Sequence, residues 1–177
     1  MMTEIKQACE VPTEVIENRQ EFQNNRVPQI CEEFDLKKVV VEPNRFNYDG
    51  VITIAPIEFS AKCGHHLVGI HGKAYFAYIP DKQIIGLSMS ARIIEYFLNV
   101  TKEILQEEAN KQIVDFFQEK LKPKGVWLIL NATHECMSAR GVRQRSSRTS
   151  TSDMRGVFHT DFALRDETKY LWEIGEK

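Results

Sequence analysis

The sequence predicts an α+β domain of order ββααββ, an antiparallel four-stranded sheet with a helix pair on one face. Two strand-like runs come first, two helix-period runs follow, and two more strand-like runs close the pattern. With connections this short, the simplest packing is one sheet layer and one helix layer. The length of 177 residues suits one ordinary domain. A chain near that size buries about 68–70% of its unfolded surface, so its core needs no disulfide staples.

The first strand is read over 51–61, VITIAPIEFSA, where β-branched and apolar residues dominate. The second covers 67–79, with Ile70, Gly72, Ala74, Phe76 and Tyr78 on one face by strict alternation. Pro80, Asp81 and Lys82 then form a turn. Helical periodicity runs over 88–98 and again over 102–121. In the second helix Leu105, Ala109, Ile113, Phe116, Phe117 and Leu121 make one apolar stripe. It stops at Lys122-Pro123-Lys124-Gly125, which supplies the Pro, Gly and late lysines of a helix end. The run VWLILNATHEC is the third strand and 152–163 the fourth. Such a sheet leaves two open edges, so pairing with further copies of the chain is expected. Residues 1–48 read as a polar N-terminal segment, broken at Val11-Pro12 and Val27-Pro28, with short helices over 13–24 and 29–35. Residues 49–177 read as the folded domain.

Composition excludes several classes. Apolar residues make up 42%, charged residues 27%, and net charge is −2, a balance that points to neither nucleic acid nor an anionic membrane. No apolar run reaches a membrane-spanning length. The N-terminal residues lack the basic and apolar regions of a secretory signal, so a cytoplasmic location is expected. Cys9, Cys31, Cys63 and Cys136 are sparse and unevenly spaced, which favours metal binding or free thiols over a disulfide framework.

The chemistry concentrates in Cys63-Gly64-His65-His66 and, some 70 residues later, His134-Glu135-Cys136. Thiolate and neutral imidazole are the donors zinc prefers. A Cys-x-x-His step lets both ends of one turn reach an ion. Period-two geometry would put His134 and Cys136 on one face of their strand. These residues alone leave three readings open: a structural zinc closed by four ligands, a catalytic zinc held by three, or unrelated Cys and His residues. With three ligands, the two remaining histidines are placed to carry protons. A nucleobase deaminase is not favoured, because the H-x-E and P-C-x-x-C pair is missing.

From about residue 57 to 158 the sequence resembles GTP cyclohydrolase I. The resemblance rests on CGHHLVGIHGKAYFAYIP, GLSMSAR, LQE, ATHECMSARGV and SSRTSTSDMRGVF, in the family's order and at close to its spacing. It implies the tunnelling fold, subunits joined into five-membered β-barrels, two such rings stacked as a homodecamer, and active sites between subunits. By position it implies Zn2+ held by Cys63, His66 and Cys136, with His65 and His134 as the proton-transfer pair. Glu107, with Gln106 beside it, matches the carboxylate that grips the guanine edge. Ser88, Arg92 and Arg140 match residues that contact ribose and triphosphate. The implied reaction is attack of water at C8 of GTP, loss of formate, and rearrangement to 7,8-dihydroneopterin triphosphate, which feeds pterin, folate or deazaguanine synthesis.

Four features depart from the family pattern. Gly64 replaces a glutamate and implies a looser turn. Met89 stands where the family has a phosphate-binding lysine. The stretch between the helices is about two residues longer, and the part before Cys63 is shorter. Arg143, Arg145, Arg148 and Arg155 are candidates to take over the lost phosphate contact. Two alternatives therefore stand: a cyclohydrolase acting on another guanine nucleotide, or a catalytically weak, zinc-stabilised, nucleotide-binding assembly subunit.

Overall fold

The computed structural model describes residues 34–99, 102–139 and 142–176. The chain divides into Met1–Asp35 and Leu36–Lys177, and the architecture below belongs to the second unit. The N-terminal helices expected over 13–24 and 29–35 fall outside the described residues, save 34 and 35, which are irregular.

Strands β1 (Glu42–Pro43), β2 (Ile52–Cys63), β3 (Gly69–Ile79) and β4 (Gln83–Ile84) precede helix α1 (Leu87–Phe97). Then come β5 (Glu103–Ile104), helix α2 (Gln106–Leu121), β6 (Gly125–His134), the one-turn helix α3 (Glu135–Ser138), β7 (Thr149–Gly156) and helix α4 (Phe162–Gly175). The main sheet has the order β5-β2-β3-β6-β7. β2 and β3 form a hairpin, and β3 pairs with β6 in an unbroken antiparallel register from Ile70↔His134 to Ile79↔Gly125. β7 continues the sheet beyond β6. The two helices enter between β3 and β6, so the expected ββααββ order holds at the level of this mixed α+β sheet.

Three expectations need correction. A fifth strand exists: β5 lies parallel to the end of β2, pairing with Lys62 and Cys63. The second helix therefore starts at Gln106 rather than 102, and Leu105 caps it instead of joining its stripe. The last strand spans Thr149–Gly156, not 152–163. Beyond it the chain makes a short 3-10 turn at Val157–His159 and then α4, which no expectation covered. Asp161 caps that helix by accepting a hydrogen bond from the Leu164 backbone N–H at 2.9 Å.

Helices thus cover both faces of the sheet. Even-numbered β3 residues face α1 and α2, where Phe76 lies 4.2 Å from Phe117 between ring centroids. Phe76, Tyr78, Ile93, Ile94, Ile113, Leu128 and Leu130 are fully buried, each worth about 1.5–3 kcal/mol of burial. Odd-numbered β3 residues face the other way, because successive strand side chains alternate. Ala77 and Ile79 there join Trp127, Phe158 and Trp172 in a second cluster under α4. The Trp172 indole N–H also donates to the Phe76 carbonyl at 3.2 Å.

Candidate active site

The two metal-donor loci sit at the same end of the sheet. Cys63 is the last residue of β2, and its N–H donates to the Val68 carbonyl at 2.8 Å, closing a tight turn. Within that turn the Cys63 carbonyl accepts from His66 at 3.2 Å and Leu67 at 2.7 Å. Gly64 is not loose. Its N–H donates to the Ile104 carbonyl at 2.8 Å, so β5 pins the turn from outside. A methyl at 64 would meet that same carbonyl at 3.3 Å.

The second locus differs from the sequence expectation. β6 ends at His134, and Cys136 lies on α3, so the two do not share a strand face. The helical turn swings the thiol toward the first locus instead. Donor atoms of Cys63, His66 and Cys136 lie within 4.8 Å of one another. Neither cysteine is in a disulfide. Two thiols and one imidazole at that spacing fit a zinc-type ion, whose bonds to such donors run about 2.0–2.3 Å. His65 is outside this group, its ring centroid 6.1 Å from that of His66.

His134 stands beside the cluster and is oriented by Gln106. Gln106 was expected at the substrate, yet its side chain is 2% exposed and fully engaged within the chain. Its Nε2 donates to the Leu130 and Thr149 carbonyls, both at 3.1 Å, and to Thr151 Oγ1 at 3.2 Å. That fixes the amide with Oε1 toward His134 Nε2, 2.8 Å away. An amide oxygen only accepts, so His134 must donate from Nε2, which leaves Nδ1 as the acceptor nitrogen of the neutral ring. Burial pushes the imidazole below its ordinary pKa, against the pull of the nearby Glu107 charge. Neutral His134 is the favoured form.

Glu107 is exposed in the first turn of α2, next to Gln106. On α1, Ser88 is exposed, while Met89 and Arg92 are partly buried. Arg140 lies outside the described residues. Arg155 is committed elsewhere, bridging Asp115 on α2 at 2.6 Å and also pairing with Asp153. A groove of about 490 Å³ opens on the second sheet face, between Glu58, Ser60, His71, Lys73, Thr133 and Arg148. Of the site residues named from sequence, only Arg148, a candidate for the phosphate contact, lines it. What sequence reasoning missed is the orienting role of Gln106. A Gln-Glu pair at a helix start carries no signal of burial until the neighbouring strands are in place.

Fold and cluster together define a Cys2His metal-donor centre at the end of a mainly antiparallel sheet sandwiched by helices. The profile of the family described as GTP cyclohydrolase I matches residues 9–173, and the chain belongs to that family. It is 41% identical over 120 residues to GTP cyclohydrolase 1 of Aquifex aeolicus, covering 68% of this chain and 64% of that protein. Against the human GTP cyclohydrolase 1 it is 40% identical over 121 residues, 68% of this chain and 48% of the relative. A longer match to the GTP cyclohydrolase 1 of Hydrogenobaculum is 37% identical over 158 residues, 89% of this chain and 81% of the relative. The chain thus spans 64% and 48% of the first two relatives' length. Among solved structures, the archaeosine synthase QueF-Like in its apo form aligns over 60% of this chain and 94% of its own. That likeness, with TM-score 0.48 and 12% identity, is too weak to carry an argument.

Proposed function

We propose that this chain is a zinc-dependent hydrolase of GTP that opens the guanine imidazole ring at C8, releases formate, and yields 7,8-dihydroneopterin triphosphate. The observation that carries this reading is the convergence of Cys63, His66 and Cys136 donors within 4.8 Å. These three residues would hold the ion. When bound, it supplies a Lewis acid able to generate a water-derived nucleophile at neutral pH. The chain's own residues do the rest. His134, held neutral by burial and donating from Nε2 to Gln106, keeps Nδ1 ready to accept a proton. His65, exposed on the same turn, is the second proton carrier. Glu107 presents a carboxylate that accepts from the ring N–H and exocyclic amine of guanine, a pair adenine does not offer. Ser88, Arg92 and Arg140 take the ribose and triphosphate. Gln106 acts one step back from the substrate, through His134.

Open edges support assembly as part of the same reading. Among the described residues β5 covers only Lys62 and Cys63 of β2, and β7 is paired on one side, which leaves strand edges of the kind that pair with a second copy. A homo-oligomer of barrel rings, decameric as in the family, is the proposed state, located in the cytoplasm and feeding pterin or folate synthesis. A second reading, another guanine nucleotide as substrate, is favoured by Met89, which offers no charge where a phosphate contact is implied. Incubating the zinc-loaded protein with GTP, GDP and GMP separates these readings. Formate together with oxidisable pterin fluorescence from GTP is the expected outcome. Activity confined to another nucleotide establishes the second reading, and no formate from any of them overturns both.

A further inference from the structure

Glu135 lies between His134 and Cys136, and its side chain turns back onto β3. Its Oε2 accepts the Gly69 backbone N–H at 2.9 Å. Its Oε1 lies 3.4 Å from His71 Nε2, and His71 Nδ1 is 3.0 Å from Ser60 Oγ on β2. One carboxylate thus links the α3 turn to two residues of β3 and, through His71, to β2.

The register shows what this link replaces. The β3–β6 ladder ends at Ile70↔His134. One step further β6 has given way to α3, so Gly69, still paired with Lys62 of β2, has no strand partner on its β6 side. The Glu135 carboxylate stands where a ladder carbonyl would be, extending the pairing by one side-chain bond. Position 69 is shaped to receive it. A methyl there would sit 2.7 Å from His71 Nε2 and 2.8 Å from the carboxylate carbon of Glu135. Any side chain at 69 would therefore expel the carboxylate or the ring.

Gly69 directly follows Val68, whose carbonyl holds the Cys63 N–H. The path from Cys136 to Cys63 then has few joints: Cys136, Glu135, Gly69, Val68, Cys63. Resting on the metal reading of Cys63, His66 and Cys136, we infer that Glu135 is a positioning residue that sets the spacing between the two cysteine loci. Its carboxylate is not part of the Cys63, His66 and Cys136 donor group. Groups that orient metal ligands from behind typically change metal affinity by about 10–100-fold when removed, and this one acts through backbone, so the low end applies.

Cobalt(II) titration of the metal-free full chain, followed by its thiolate charge-transfer and d–d absorption, reads the spacing directly. Glu135→Ala is expected to weaken cobalt binding by about tenfold and to alter the d–d envelope. Glu135→Gln keeps an oxygen for the Gly69 N–H and is expected to restore most of the affinity. Gly69→Ala should reproduce the Glu135→Ala result without touching the carboxylate chemically, and it decides the matter by the same criterion if Glu135→Ala does not fold by circular dichroism. Wild-type affinity and spectrum in the folded Ala variants overturn the inference, even if their melting temperatures fall. A wild-type chain with no thiolate-to-cobalt band would instead overturn the metal reading itself, and the inference with it.

Discussion

The two faces of the sheet are built differently. Under α1 and α2, Ile70, Ala74, Phe76, Leu128, Leu130, Ile113 and Phe117 form an unbroken dry layer. Its main polar intrusion near the site is Gln106, whose amide hydrogens are fully engaged. The opposite face changes character along its length. At the end away from the cysteines it is a tryptophan-rich cluster beneath α4, with Trp127 and Trp172 centroids 4.8 Å apart. Toward the cysteines it opens into the groove around Ser60, His71 and Lys73. One face carries the dry core and seats His134 against Gln106. The other ties down the C-terminal helix and, nearer the cysteines, carries the Glu135–His71–Ser60 contacts.

That contrast can be broken in order of expected effect. Phe117→Ala should be the most damaging, about 3–5 kcal/mol by urea unfolding, because it empties a rigid site against Phe76. Trp172→Ala should cost no more than the low end of that same ~3–5 kcal/mol range, since α4 can detach while the sheet persists. Limited proteolysis should then release the C-terminal segment first. Equal losses for the two variants would erase the distinction between the faces. Gln106→Ala should cost about 1–3 kcal/mol by removing the buried bonds to Leu130, Thr149 and Thr151 and the acceptor opposite His134. If Gln106 works through His134, as proposed, the substitution should also lower kcat more than it changes KM. The smallest effect is expected at Asp115, on the outer surface of α2. Its hydrogen bond from Lys111, and then that from Arg155, hold its carboxyl below the ordinary 3.8. A folded pKa below the unfolded one means the contribution is complete above the unfolded value and disappears as pH falls through the folded one. Asp115→Asn should therefore reduce stability by no more than about 1 kcal/mol near neutrality, as exposed pairs do. Thermal melts of the two proteins should converge in acid.

Much of this contrast was legible in the residues. Alternation at Ile70, Ala74, Phe76 and Tyr78 and the stripe through Ala109, Ile113 and Phe117 name the dry face directly, since periodicity encodes which side is buried. The Cys and His residues by themselves left five candidate donors, and the family resemblance singled out Cys63, His66 and Cys136, the three that the fold brings together. The second face was not legible. Helix α4 begins with an aspartate cap and carries Leu164, Thr168 and Trp172 at four-residue steps, a pattern hidden when the strand was extended to 163. Strand β5 is two residues long, and its pairing with Lys62 and Cys63 depends on a loop closing in three dimensions. The step from strand to helix at Glu135 was invisible for a similar reason, because His-Glu-Cys suits either period over so short a run. His71 meets Ser60 and Glu135 only once β2, β3 and β6 are aligned.

At the far end of the sheet, Gly156 takes φ +65°, and a methyl built on it would lie 2.0 Å from the Lys124 carbonyl oxygen. Two peptide segments cross there at a separation that admits only hydrogen. A saturation scan for lost activity would flag this crossing as sharply as the cysteines, though it lies at the opposite end of the strands from them. Intolerance to replacement would in that case map where the C-terminal segment is anchored, and only metal or nucleotide affinity would tell such positions from those that do chemistry.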